Sequence, residues 1–300
     1  MMDDRPVAPP AVCWITRRLE EAGFETWAVG GAVRDILLGI PAGDWDLATR
    51  ARPQQVRRVF RRTVPIGVEH GTVGVLAEDG TMFEVTTFRK DVETDGRHAV
   101  VSFAERIEED LARRDFTINA VAWHVLREEF LDPYGGASDL RAGILRAVGE
   151  PAQRFAEDNL RVLRAIRFAG RFGLEVHAET WDALCRATPR LPDLSAERIR
   201  DELLKTLDVD RAPSTAMDLY RRSGALRVLY PELEASSEDG SDGWAARLRV
   251  IDNLPIKRPF LRLAALLRRL HREQVAQVLT RLRLSNAQVD EAARIAGAPR

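Results

Sequence analysis

The sequence predicts an α+β unit over residues 1–150, with a small mixed sheet, followed by an all-helical remainder. Turn-bounded stretches of period-2 alternation are confined to the first half, most clearly at 72–76 and 82–88 around Glu78-Asp79-Gly80-Thr81. A Gly30-Gly31 pair there joins an extended apolar run to a helical one. Beyond Pro151 the apolar spacing turns helical, interrupted only by Pro and Gly breaks. With 300 residues, 45% of them hydrophobic, the chain can bury a substantial core in two or three units.

In chain order, residues 11–23 read as a helix closed by Gly23, and 24–29 as a strand. Gly30-Gly31 turns that strand into a helix over 32–38. A second strand is expected near 44–48, a helix entered at Pro53, then the hairpin of 72–76 with 82–88. Helices follow at 105–112 and 116–124, extended stretches at 130–132 and 145–148, and one long helix from Pro151 to about Arg171. Further helices are expected near 178–187, 195–207, 213–223, 244–253, 258–270 and 272–282. The polar stretch 235–243, Ala-Ser-Ser-Glu-Asp-Gly-Ser-Asp-Gly, is the best linker candidate, which divides the chain into 1–150, 151–235 and 236–300. There is no internal repeat.

Composition excludes several classes. No stretch approaches the roughly 20 apolar residues of a membrane span. The N-terminus lacks the basic-then-apolar order of a signal peptide, so a cytoplasmic protein is expected. Cys13 and Cys185 stand far apart and form no metal pattern, and the five histidines show no ligand spacing. The net charge of −1 gives no global sign of a nucleic-acid partner. Distribution says more. Of 45 basic residues only Lys90, Lys205 and Lys257 are lysine, a preference that genomic base composition explains equally well. Residues 141–171, however, hold seven arginines against Glu150, Glu157 and Asp158. Arginine's planar fork suits phosphates and base edges.

The chemistry centres on Asp44-Trp45-Asp46. On a strand, residues i and i+2 face the same way, which sets the two carboxylates about 7 Å apart along the backbone. Two hard anions on a rigid element suit Mg²⁺, which favours few carboxylates plus substrate phosphates. Two such ions about 4 Å apart would stabilise both ends of an in-line displacement. An isolated Asp-x-Asp is more often a solvated surface pair. The upstream turn changes that balance: two glycines at a strand-to-helix junction bring backbone N–H groups close to a triphosphate, with Arg34 one turn in.

Here the sequence resembles the class II tRNA nucleotidyltransferases and bacterial poly(A) polymerases. The matching blocks are Gly30-Gly31-Ala32-Val33-Arg34-Asp35 with Asp44 and Asp46; His70-Gly71-Thr72-Val73; Glu84-Val85-Thr86-Thr87-Phe88-Arg89; Asp110 to Ala120; Asp132-Pro133-Tyr134-Gly135-Gly136; and Glu157 to Phe168. The resemblance covers about residues 24–235, in the family's order. It implies a polymerase-β-like nucleotidyltransferase head (1–150), a helical neck (151–235) and a body (236–300). Asp44 and Asp46 would bind the metals and act as the catalytic pair, while Gly31 and Arg34 would bind the nucleotide. Arg114 would contact that nucleotide and Asp115 its ribose; the plain alternative for Asp115 is a favourable charge at a helix N-terminus. Glu84 is either a third metal carboxylate or a solvated strand residue.

On the helix expected from Pro151, Phe155, Val162, Ile166 and Ala169 share one side, and Arg161, Arg164, Arg167 and Arg171 another. Asp158 and Arg161, at i and i+3, lie within reach of each other. The resemblance makes this pair a protein template for the incoming base. A carboxylate accepts from an exocyclic amine and a guanidinium donates to the adjacent ring nitrogen. Cytosine and adenine satisfy both contacts, whereas uracil and guanine invert both, at about 1–3 kcal/mol for each mismatched buried group. Arg164 and Arg167 would add phosphate or stacking contacts.

The expected activity is therefore addition of C and A from CTP and ATP to a tRNA 3′ end, with Mg²⁺ and no protein partner. A poly(A) polymerase or a CC- or A-adding enzyme is the near alternative, and a catalytically silent RNA-binding protein the distant one. Two departures bear on full CCA addition. Between Arg89 and Phe103 this chain has Asp95-Gly96-Arg97-His98-Ala99 where the family often ends an arginine-rich loop in Arg-Arg-Pro. It also ends at Arg300, shorter than many members, which is expected to reduce the tRNA-gripping surface.

Overall fold

The computed structural model describes residues 6–94, 99–209, 212–238, 241–268 and 270–296. The chain folds into two compact units, Met1–Glu150 and Pro151–Arg300. The first contains α1 (Pro10–Glu21), β1 (Thr26–Val29), α2 (Gly31–Leu37), β2 (Asp46–Thr49), α3 (Pro53–Val59), β3 (Thr63–Gly67), β4 (Thr72–Leu76) and β5 (Met82–Thr87). It continues with β6 (Arg89–Thr94), β7 (Ala99–Phe103), α4 (Ile107–Ala112), β8 (Ala122–His124), β9 (Glu129–Leu131), α5 (Gly136–Ala142) and β10 (Ile144–Leu145).

Seven strands form one sheet in the order β3-β4-β5-β2-β1-β8-β9. Among the described pairs only β2–β5 is parallel; the long excursion through α3, β3 and β4 separates those two strands in sequence. The strands read inside-out by alternation. On β5, Phe83 and Val85 are buried while Met82 and Glu84 are exposed. Phe83 and Val85 join Leu47, Val73 and Val75 in a core with Val12, Ile15 and Leu19 of α1, Val33 of α2 and Val56 of α3. The opposite face is covered over β1, β2 and β8, where Trp27, Val29, Ala48 and Ala122 meet Ile107 and Leu111 of α4.

Several expectations are corrected. The second strand starts at Asp46, so Asp44 lies in the extended approach to it. The helix expected at 116–124 is a short 3₁₀ turn, Thr117–Asn119, followed by β8. Ala120-Val121-Ala122-Trp123 is a short apolar run, and pairing with β1 decides its state. Strand β3, the β6–β7 hairpin and α5 were not expected. Residues 95–98 of the divergent loop lie outside the described residues, and their flanks 94 and 99 are paired strand ends.

The second unit comprises α6 (Pro151–Glu157), α7 (Leu160–Phe172), β11 (Glu175–Val176), α8 (Ala178–Ala187), α9 (Ala196–Leu207), α10 (Ser214–Arg222), α11 (Ala225–Leu229) and α12 (Pro231–Glu238). Then come α13 (Ser241–Asn253), α14 (Pro259–Leu266), α15 (Arg272–Arg281) and α16 (Asn286–Ala296). The expected single helix from Pro151 is two helices. The Asp158 carboxylate accepts the Leu160 N–H at 3.1 Å, offering the backbone an alternative to the helical bond. The proposed linker at 235–243 is also mostly helical, in α12 and α13, with 239–240 outside the described residues. Arg262 is buried and donates to the carbonyls of Leu207 (2.7 Å) and Val209 (2.8 Å), closing the C-terminal end of α9.

Candidate active site

Asp46 is the first residue of β2, and its register partner on the parallel strand β5 is Glu84. The carboxyl of Asp46 is held above the ordinary carboxylate range. Removal from water by the surrounding protein is the largest cause, although Asp46 itself lies at the exposed start of β2, where solvent moderates the effect. Glu84 and Asp44 add negative charge, and Arg114 offsets part of it. Asp44, exposed just before the strand, and Glu84 thus share one electrostatic neighbourhood with Asp46. Among the described residues no group of three or more His, Cys, Asp or Glu is already disposed around a metal position. The donor set nevertheless fits a hard divalent cation: its oxygens are carboxylates, its excess charge is negative, and substrate phosphates supply the remaining ligands.

Beside the carboxylates lies the turn into α2. Gly30 has φ 75°, which favours glycine, and a Cβ there would stand 3.3 Å from Arg114 Nη1 and 3.5 Å from Asp46 Oδ2. The glycine therefore lets one guanidinium and one carboxylate close on the same stretch of backbone. The first helical bond runs from Arg34 N–H to the Gly30 carbonyl at 3.1 Å, so the N–H groups of Gly31, Ala32 and Val33 precede it at the positive helix end.

Arg34 is buried. Its Nη1 donates to Asn119 Oδ1 at 2.9 Å, and its Nη2 and Nε to Asp35 Oδ1 at 2.7 and 3.0 Å. Asn119 Nδ2 donates to Asp115 Oδ1 at 2.9 Å, which also accepts the Phe116 N–H at 2.8 Å. Arg114 Nη2 donates to Asp110 Oδ2 at 3.1 Å and its Nη1 to the Asn119 carbonyl at 3.3 Å. Three of the residues expected to hold a nucleotide here, Arg34, Arg114 and Asp115, are thus tied together through Asn119, and Gly31 lies beside Arg34, where an added Cβ would stand 3.7 Å from Arg34 Nη2. Sequence reasoning gave Asn119 and Asp110 no role, although both lie in a matching block; no periodicity reveals a side chain that bridges two others.

In the second unit, Arg161 Nη1 donates to Glu157 Oε2 at 2.7 Å and to the Arg154 carbonyl at 3.0 Å. Asp158 accepts Arg198 Nη2 at 2.8 and 3.0 Å. Glu157 and Arg198 are therefore the fixed neighbours of the expected template pair, and the sequence did not single out Arg198. Arg164 lies 5.2 Å over the Phe168 ring. Arg167 departs from expectation. It is 7% exposed and paired with the more deeply buried Glu202 at 2.7 Å, because its place on α7 faces α9 rather than solvent.

Residues 26–146 match the poly(A) polymerase head domain family, and 173–236 match its probable RNA- and SrmB-binding region. A CCA-adding enzyme from Leuconostoc mesenteroides is 43% identical over 219 residues, covering 72% of this chain and 53% of that one. The crystal structure of the Bacillus stearothermophilus CCA-adding enzyme in complex with CTP superposes with a TM-score of 0.79 at 35% identity. It covers 98% of this chain and 72% of that one. The chain belongs to this nucleotidyltransferase family. Another CCA-adding enzyme, from Anoxybacillus flavithermus, is 43% identical over 75% of this chain and 56% of its own length. The chain thus spans just over half the length of these curated relatives. Asp44, Asp46, Glu84, Arg114 and Asp115 all fall inside the head match, whereas Asp158 and Arg161 lie between the two matched regions.

Proposed function

We propose that this chain adds C and A to the 3′ end of tRNA, taking CTP and ATP and releasing pyrophosphate. The observation that carries this reading is the Asp46–Glu84 pair, with Asp44 in the same field, set against the Gly30–Gly31 turn and its Arg34–Asn119–Asp115 network. The relatives named as CCA-adding enzymes support the choice of product.

Asp44 and Asp46, with Glu84 as a third carboxylate, would hold Mg²⁺. Bound there, the cation would offset charge on the phosphate oxygens and ease ionisation of the RNA 3′-hydroxyl. The protein does the rest by placement. The Gly30–Gly31 turn admits the triphosphate to the N-terminus of α2. Arg114 carries positive charge beside Asp46, and Asp115, steadied by Asn119, accepts from the ribose. Arg34 holds the turn and Asn119 in register. Asp158 and Arg161 read the amine-and-acceptor edge common to cytosine and adenine, with Arg164 adding a phosphate or stacking contact. Residues 1–150 act as head, 151–235 as neck and 236–300 as body, in the cytoplasm. Among the described residues no helix is long and apolar enough to cross a membrane.

The test incubates the protein and Mg²⁺ with tRNAs lacking the CCA end, ending in CC, or complete, offering each NTP alone and CTP with ATP. Ordered addition that stops at CCA establishes the reading. A stop after CC, or long ATP-only tails, replaces it with a partial enzyme or a poly(A) polymerase. RNA binding with no incorporation overturns it.

A further inference from the structure

The row of register partners that carries Asp46 and Glu84 continues past them. Gly74 on β4 stands opposite Glu84, and Val64 on β3 stands opposite Gly74. Direct cross-strand neighbours project from the same face, so the face that bears the carboxylates also bears Val64. Met82 shares it, two residues from Glu84 on β5. Ile66 joins them: a Cβ added at Gly74 would stand 2.7 Å from Ile66 Cδ1 and 2.9 Å from Met82 Sδ. Gly74 is the bare floor across which Ile66 and Met82 approach each other.

Val64, Ile66 and Met82 are 37%, 41% and 47% exposed, three of the eight large apolar side chains left exposed among the described residues. Apolar residues scattered singly need no explanation, but three gathered beside a carboxylate row do. Another strand is a poor occupant. β3 is the edge of the sheet, and it carries Pro65 and a register shift between Pro65 and Gly67.

The layout of the site points to a different occupant. Gly30, Arg34 and Arg114 flank Asp46 on its β1 side, whereas Glu84 and the apolar ledge lie on its β5–β4–β3 side. In phosphoryl transfer the attacking and leaving oxygens lie roughly in line across phosphorus. A pyrophosphate held at the Gly30 turn leaves the attacking hydroxyl the Glu84 side, and the nucleotide bearing it then lies over the ledge. We propose that Val64, Ile66 and Met82, over Gly74, form the platform on which the terminal nucleotide of the acceptor RNA packs. This rests on the reading of the chain as an RNA 3′-end nucleotidyltransferase. Aliphatic and thioether surface accepts any base face without reading its edge. That suits an RNA end whose last base changes with each addition.

The test uses the full chain and an RNA hairpin whose 3′-terminal base is 2-aminopurine, bound without nucleotide, so that emission reports packing of that base. The wild-type protein should change the emission, and an Ile66→Asn/Met82→Gln double variant should abolish the change. In steady state the double variant should raise KM for the RNA about tenfold and leave KM for CTP and ATP unchanged. Gly74→Ala, which displaces the tips of Ile66 and Met82 without adding polarity, should give an intermediate rise. Wild-type emission change and wild-type acceptor KM in the double variant would overturn the platform. So would a change of sedimentation in place of acceptor KM, which would mean that a second copy covers the ledge. An emission change without any incorporation by the wild-type chain would sink the catalytic reading and leave the platform standing.

Discussion

At the scale of single residues, Asp46 sets function against stability. Its folded-state pKa is raised, so the folded protein holds that proton to higher pH than the unfolded chain does. Stability of the metal-free protein therefore falls as pH rises from the ordinary carboxylate value of 3.8 through the raised one. Asp46→Asn removes the penalty. Thermal melts in chelator should give it a slightly higher Tm than wild type at pH 7, a small gain because Asp46 sits at the exposed start of β2 and solvent screens its neighbours, with the gap closing near pH 3.8. Turnover should meanwhile fall about a thousandfold or more, since several kcal/mol of charge stabilisation depend on that carboxylate. No gain in Tm at pH 7 would refute the electrostatic account. Asn119 makes a different test. Asn119→Ala removes the Asn119 Oδ1 acceptor of the buried Arg34 Nη1, at about 1–3 kcal/mol in urea unfolding. It should raise KM for CTP and ATP alike, because the groups it steadies serve phosphate and ribose rather than base. A rise for one nucleotide alone would place Asn119 in base selection.

At the scale of elements, α7 does two jobs with arginines that look equivalent in sequence. Arg161 and Arg164 lie toward its start, beside Glu157 and over Phe168, while Arg167 is driven into the α7–α9 contact and paired with Glu202. Burial of a charge is tolerated only with a partner. Arg167→Ala should cost about 3–5 kcal/mol of stability by stranding Glu202, lessened by Lys205 3.7 Å away. It should leave the preference for CTP and ATP over UTP and GTP unchanged at a temperature where the variant is folded. Lost selectivity with unchanged stability would return Arg167 to the nucleotide. The break before α7 follows from the same sequence: an Asp-Asn pair whose first carboxylate takes a backbone N–H ends α6 and places Asp158 at the junction.

At the scale of the whole molecule, a chain of net charge −1 must bind a polyanion through local charge. Each phosphate neutralised contributes a slope of about −0.7 to −0.9 to log K against log salt. With Arg154 and Arg161 on Glu157 and Arg167 on Glu202, Arg164 and Arg171 are the arginines of 154–171 placed to meet phosphate, which predicts a slope of about −1.5 for tRNA binding, measured by anisotropy across a salt series. A slope near zero would show that phosphate contacts carry little of the affinity. Two units, each with its own buried core, also explain why the sequence changes character at Pro151. Period-2 strands need a sheet to complete them, and period-3.6 segments need other helices.

The sequence by itself determined the fold class, the β4–β5 hairpin and the grouping of Gly31, Arg34, Asp44 and Asp46 within one strand–helix–strand stretch. These features are local: turn residues, alternation and short spacings suffice to specify them. The tertiary structure decided what depends on distant partners. It made 120–123 a strand lead-in by offering β1, removed Arg167 from the exposed face by offering Glu202, and gave Asn119 its place between Arg34 and Asp115. It also put Glu84 beside Asp46 through a parallel pairing across 38 residues of chain. A side chain's neighbours along the sequence fix its backbone preference, but its charge state and its contacts belong to residues that only folding brings near.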